Sequence, residues 1–188
     1  MRSRILALSV ALAVAAQACC CCTILGGPQP PYPIATSPDT VDRLQERVNA
    51  LQPNPDGSFS ITFTEAEVTS LAVGALAGMP EPPPVSDPQV HLRNGRVEIY
   101  ATVHVAESTT LPSLFAFTLQ VVDGQITATV EEATVGPLPL PESLLETLTG
   151  QLNRSIADQV SSWGADGLIT GVQISDQEIT VLGQVPTQ

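Results

Sequence analysis

From residue 58 onward the chain switches between two hydrophobic periods, and each switch marks an element. Phe59, Ile61 and Phe63 alternate with Ser58, Ser60 and Thr62, the two-residue period of a strand with one buried face. After Thr64 and Glu67, which stand at capping-box spacing, Val68, Leu71, Ala72, Ala75 and Leu76 recur at helical steps, predicting a short helix of low charge that ends near Gly78. The proline-rich run Met79 to Pro84 cannot continue it and is expected to pass over one edge of the domain. Four extended segments follow: Gln89 to Arg93, Arg96 to Glu107, Leu114 to Val122, and Gln125 to Val135. Asn94-Gly95 and Asp123-Gly124 are two-residue hairpin turns, since both central positions favour positive φ. In the second segment Val97, Ile99, Ala101, Val103 and Val105 share one face; Arg96, Glu98, Tyr100, Thr102 and His104 share the other, which predicts one buried face and one wet one. Phe115, Phe117, Leu119 and Val121 line one face of the third segment. In the fourth, Ile126, Ala128 and Val130 precede Glu131-Glu132, where a bulge is expected.

Gly136 to Pro141 (GPLPLP) breaks this meander and leads into a long helix from Glu142 to about Trp163, with Leu144, Leu145, Leu148, Leu152, Ile156 and Val160 at helical spacing. Gly167 to Ser175 and Glu178 to Gly183 form a closing hairpin across Asp176-Gln177. Ahead of the strands, Ser37 offers a capping hydroxyl, Pro38 a preset φ and Asp39 a negative charge. Val41, Leu44, Val48 and Leu51 then predict a helix to about Leu51, followed by a turn at Asn54 to Gly57. The result is an α+β domain, shorter N-terminal helices and a long C-terminal one packed on one face of a curved antiparallel meander.

The N-terminus divides differently. Arg2 and Arg4 precede an apolar run from Ile5 to Ala16, and Ala16 and Ala18 put small residues at −3 and −1 of a cleavage point before Cys19. Residues 1–18 therefore read as a lipoprotein-type signal, with Cys19 the lipidated residue and an extracytoplasmic, membrane-anchored location. A plain secretory signal and an uncleaved anchor extending through Leu25 are the alternatives. Four adjacent cysteines cannot converge tetrahedrally on one metal, and no later Cys exists for a disulfide. Residues 19–36 form a Cys-rich anchor and a Pro/Gly-rich tether without packed structure, leaving 37–188 as a single domain.

Charge then narrows the partners. The net charge is −12, there is no Lys, and loss of Arg2 and Arg4 with the signal makes it two units more negative. Such a surface repels phosphate backbones and offers no basic face, which excludes nucleic acid and docking on anionic headgroups. Candidate chemistry is sparse. His91 and His104 both lie in strand patterns, with His104 read as an ordinary exposed imidazole. No HExxH, GxSxG, phosphate-binding or dinucleotide-binding motif occurs, and Glu131-Glu132 point to opposite faces. Asn153-Arg154-Ser155 is a glycosylation sequon inside a predicted helix and reads as chance. The chain is expected to be no enzyme and to need no cofactor or metal.

What remains is aliphatic surface. In order, ITFTEAEVTSLAVGAL (Ile61 to Leu76), NGRVEIYATVHV (Asn94 to Val105), DGQITATVEEATVGPLPLP (Asp123 to Pro141) and GLITGVQISDQEITVLG (Gly167 to Gly183) resemble the YpmS-like family of secreted or membrane-anchored bacterial proteins. More remotely they resemble the LmeA-like branch of the tubular lipid-binding superfamily. The resemblance implies a half-barrel, a meander wrapped around the long helix, with an apolar groove for lipid tails. The expected function is non-catalytic binding or carriage of a lipid or other hydrophobic molecule, with Leu71, Leu76, Val103, Phe115, Phe117, Leu148 and Leu152 lining the groove. The rivals are an envelope interaction module whose sheet and helices merely close on each other and, more weakly, an envelope hydrolase using stray carboxylates.

Overall fold

Two antiparallel sheets carry the chain in the computed structural model, which describes residues 26–78, 84–106, 109–162 and 168–185. In chain order the elements are α1 (Pro38–Asn49), β1 (Ser58–Thr64), α2 (Glu65–Ala77), β2 (Val85–Arg93), β3 (Arg96–Ala106), β4 (Thr109–Val122), β5 (Gln125–Val135), β6 (Leu138–Pro139), α3 (Glu142–Ser162), β7 (Leu168–Ser175) and β8 (Glu178–Gln184). The fold is α+β. β2 to β6 form a five-stranded meander in sequence order. Its two hairpin turns place Asn94, Gly95, Asp123 and Gly124 at positive φ, as two-residue turns of this kind demand. Glu131 is the extra residue of a bulge, because Phe117 pairs with Val130 and Ala116 with Glu132.

The expected single sheet is two. β1 pairs with β8 and β8 with β7, making a three-stranded sheet whose first strand comes more than a hundred residues before the others. The turn between β7 and β8 docks it on the meander: Gln177 N donates to Leu92 O at 2.7 Å, and Gln177 O accepts from Glu65 N at 3.1 Å.

α2 and α3 do not simply lie on one face of the meander; α2 also caps the edge strand β2, and α3 the stretch of β5 that the two-residue β6 leaves open. Val90 N donates to Thr69 Oγ1 at 3.0 Å and Leu92 N to Glu65 Oε1 at 2.7 Å, so α2 supplies β2 with acceptors that a neighbouring strand would otherwise provide. At the far side, Ala128 N donates to Asn153 Oδ1 at 2.6 Å, Asn153 Nδ2 returns to Ala128 O at 3.0 Å, and Val130 N donates to Thr149 Oγ1 at 3.1 Å. Asn153 thus has a structural role, holding both backbone groups of Ala128. α3 rests chiefly on β5, and its contacts do not show it enclosed by the sheet. Replacing Asn153 with Ala is expected to lower stability by about 2 kcal/mol, since two backbone groups of buried Ala128 lose their partner. Arg154→Ala, one exposed residue along, serves as the control, and urea denaturation compares the two.

Two further expectations fail. Ser37 makes no side-chain cap to α1; its backbone N–H donates to Ser70 Oγ at 3.3 Å, and Pro38 and Asp39 are left to start the helix. Residues 26–36, expected to be an unpacked tether, lie against the sheet. A Cβ at Gly27 would stand 2.5 Å from Pro112 Cγ and 3.1 Å from Gly136 Cα, so only glycine fits there. Ile34 N donates to Gln89 Oε1 at 2.6 Å, and the Tyr32 hydroxyl to Glu65 Oε2 at 2.8 Å. The proline-rich run at 79–83 and residues 1–25, with Cys19, lie outside the described residues. Among the described residues no helix is long and apolar enough to cross a membrane.

Candidate functional site

One face of the meander, the inner one, carries Val90, Leu92, Val97, Phe117 and Ala128. α2 and α3 stand at opposite edges above it and share at most marginal contact with each other. A cavity of about 280 Å³ fills the gap. Its floor is Leu92, Val97, Phe117 and Leu119; its walls are Val68 and Leu71 from α2, and Leu152 and Ile156 from α3. Phe63, Ile126, Ile179 and Val181 close one end, three of them contributed by the small sheet. Every lining side chain is apolar. A space of this kind holds no group that could retain water by hydrogen bonding and is suited to an apolar guest. Leu71, 40% exposed, stands at the rim.

Of the residues named from sequence, the fold brings Leu71, Phe117 and Leu152 to this cavity. Val103 and Phe115 share its sheet face, since Ile99 pairs with Phe115 and Val97 with Phe117, but they lie further along the strands and do not line it. Leu76 sits in the last turn of α2 and Leu148 one turn before Leu152; both are half-buried and outside the lining. The contributions of Phe63, Ile179 and Val181 were not legible, because nothing local announces that β1 pairs with β8.

Around Glu98 and Tyr100 of β3 the outer face of the meander is not wet, although it is at Gln120, Thr129 and Glu132 of β4 and β5. Glu98 and Tyr100 are 1% and 7% exposed, and Leu114 and Ala116 beside them are buried too. Arg93 and Arg96 close on the Glu98 carboxylate, with Arg93 Nε at 2.8 Å and Arg96 Nε at 2.9 Å. Burial acts to raise the Glu98 pKa, but hydrogen bonds from the two guanidinium groups and the Tyr100 hydroxyl outweigh it and hold the carboxyl below the usual range. His104 is half-buried, its Nε2 3.0 Å from Ser86 Oγ, and so is not the exposed imidazole expected.

His91 is fully enclosed. Tyr32 and Tyr100 present T-shaped ring contacts at 4.6 and 5.4 Å between centroids, and neither imidazole nitrogen has a hydrogen-bond partner. Glu65 Oε1 lies 3.8 Å from Nδ1. Burial lowers the His91 pKa most; Arg93 adds to the lowering, while Glu65 and Glu98 oppose it. A lowered imidazole pKa means the unfolded chain binds the proton more readily than the native one. The stability His91 confers is therefore complete above about pH 6.5 and declines as pH falls through that value. Urea midpoints measured from pH 7.5 to 5 are expected to fall in the parent and to fall less steeply in His91→Phe; parallel curves would refute this assignment.

Among the described residues no three His, Cys, Asp or Glu side chains stand close enough to hold a metal ion. Comparison with family models, curated proteins and solved structures finds no match to this chain.

Proposed function

We propose that this chain is an extracytoplasmic lipoprotein, anchored through Cys19, that binds one aliphatic chain of a lipid or a similar hydrophobic molecule without a covalent step. The observation that carries the reading is the wholly apolar cavity between α2, α3 and the two sheets. Its volume, about 280 Å³, lies just under the ~300 Å³ at which small-molecule sites usually begin. That space suits a single chain or a compact apolar molecule and not the paired chains of a phospholipid. Each methylene taken from water contributes about 0.8 kcal/mol, so burial alone can hold a medium-length tail. The half-barrel likeness belongs to this reading: a meander with a helix at each edge leaves a trough, which a fully wrapped helix would fill.

The test uses decan-1-ol, a neutral probe, because an acidic protein would repel a fatty acid for reasons unrelated to the cavity. The full chain is expected either to carry a co-purifying lipid in native mass spectrometry or, when empty, to bind one equivalent of decan-1-ol with a negative heat-capacity change. An empty mass together with no calorimetric uptake would leave an envelope interaction module with no small-molecule ligand.

A further inference from the structure

One end of the meander carries exposed apolar side chains beside the exposed Asp87, Thr109 and Thr110. It is the end where β2 begins at Val85, β3 finishes and β4 starts, for Val85 pairs with Val103 and Val103 with Leu111. α2 runs toward it, because Glu65 is fastened to Leu92 and Thr69 to Val90, leaving the second half of the helix to run alongside the first residues of β2. That half, Leu71 to Gly78 (LAVGALAG), holds no polar side chain, yet Leu71, Val73, Ala75 and Ala77 are exposed. A helix facing water normally turns a polar stripe outward. At the same end Val105 is 52% exposed and Leu138, in the short β6 that pairs with Val135, is 68% exposed.

The start of the described chain selects the occupant. Gly27 is seated between Pro112 and Gly136, at this same end, and the residues that precede it, 5–25, carry no charged side chain. An anchor attached there brings this end of the domain to the bilayer surface before any other. Arg93 and Arg96 flank the hairpin turn at the opposite end of β2 and β3, Arg47 pairs with Glu67 in the first turn of α2, and the chain has no Lys. Attraction to anionic headgroups is therefore absent, and aliphatic insertion into a neutral interface is the chemistry available.

We infer that this end, formed by the second half of α2 with Val105 and Leu138, docks into a zwitterionic lipid surface. The consequence concerns access. On the inner face of β3, Val97 belongs to the cavity floor, and Ile99, Ala101 and Val103 continue the same face without a polar residue toward the tip, where Val105 stands in a bulge. Docking would put the outer end of this stripe among acyl chains and give a tail an apolar path inward. The inference rests on the proposed membrane anchoring and is independent of whether the cavity is occupied.

The experiment places a single tryptophan at either end of the full chain. In a Trp163→Phe background, which removes the one native indole, Leu138→Trp reports on the tip and Leu168→Trp on the opposite end, where Leu168 is 59% exposed. Both are combined with phosphatidylcholine vesicles containing acyl-brominated lipid. The expected result is strong quenching and a blue shift for Leu138→Trp, with Leu168→Trp unquenched. Co-flotation with neither indole quenched would overturn docking while leaving the anchor intact. A blue shift at position 138 without quenching would also overturn it, showing the tip covered by protein, and equal quenching at both ends would deny it any preferred face. Failure of the full chain to float with vesicles would overturn docking and anchoring together.

Discussion

Glu98→Ala is expected to lower unfolding free energy by about 3 kcal/mol, the largest single loss on the outer face of the meander. The carboxylate is 1% exposed and accepts from Arg93 through Nε and Nη2, from Arg96 through Nε, and from the Tyr100 hydroxyl at 3.1 Å. Deleting it leaves two guanidinium groups side by side with no counter-charge. Their side chains are 35% and 33% exposed, so water screens part of the resulting repulsion, which puts the loss at the lower end of the range for broken buried pairs. Glu98→Gln is expected to recover little. Its amide must turn a donor toward one arginine, replacing an acceptor where only acceptors are useful. The pH dependence has a definite sign. A carboxyl held below its usual range contributes stability that is present above about pH 4.3 and disappears as pH falls, so the acid limb of the stability curve should flatten in Glu98→Ala. Urea denaturation between pH 7 and 3 measures both effects, and a loss under ~1 kcal/mol at neutral pH would mean that the cluster is no stronger than a surface pair.

The second large effect is on binding. Leu152 lines the cavity from α3, opposite the residues of α2. Leu152→Trp puts an indole into the space a guest would use and displaces two or three methylenes of a bound tail. At ~0.8 kcal/mol each this is about 2 kcal/mol, or roughly 30-fold weaker decan-1-ol binding. Stability separates this outcome from simple damage. An indole forced into a filled core costs ~1–3 kcal/mol through displaced neighbours, whereas one that occupies empty apolar space adds dispersion contacts and leaves stability unchanged or raised. Weak binding with an unaltered urea midpoint is the expected combination. Leu144→Trp, on the exposed first turn of the same helix, should change neither quantity. Undiminished decan-1-ol uptake by Leu152→Trp would place the ligand elsewhere.

Most strands and helices were legible because their signals are local. The capping box at Thr64 and Glu67 forms, with Thr64 N donating to Glu67 Oε2 at 2.8 Å and Glu67 N to Thr64 Oγ1 at 3.3 Å. β5 has the predicted bounds, and the bulge falls at Glu131, where two acidic residues interrupt the alternation. β4 begins five residues earlier than Leu114, at Thr109, since Pro112 can stay in a strand when its missing N–H is not needed by the ladder. The lining of the apolar cavity was legible only in part. Phe117 and Leu152 could be named because strand alternation and helical spacing say which way each element turns. Val103 and Phe115 were named by the same reasoning and lie on the predicted face, but periodicity assigns a face and not a depth along it.

Local periodicity and turn chemistry by themselves determined that this is an antiparallel α+β chain with an aliphatic inner face. Only the tertiary structure decided that β1 joins β8, that Thr69, Glu65, Thr149 and Asn153 complete the hydrogen bonding of β2 and of the open stretch of β5, and that residues 26–36 lie against Gln89, His91 and Pro112 on the polar face. The physical reason is the same in each case. A buried backbone donor or carboxylate must find a partner, yet the identity of that partner depends on which distant segment passes within 3 Å, and neither hydrophobic period nor composition records that distance.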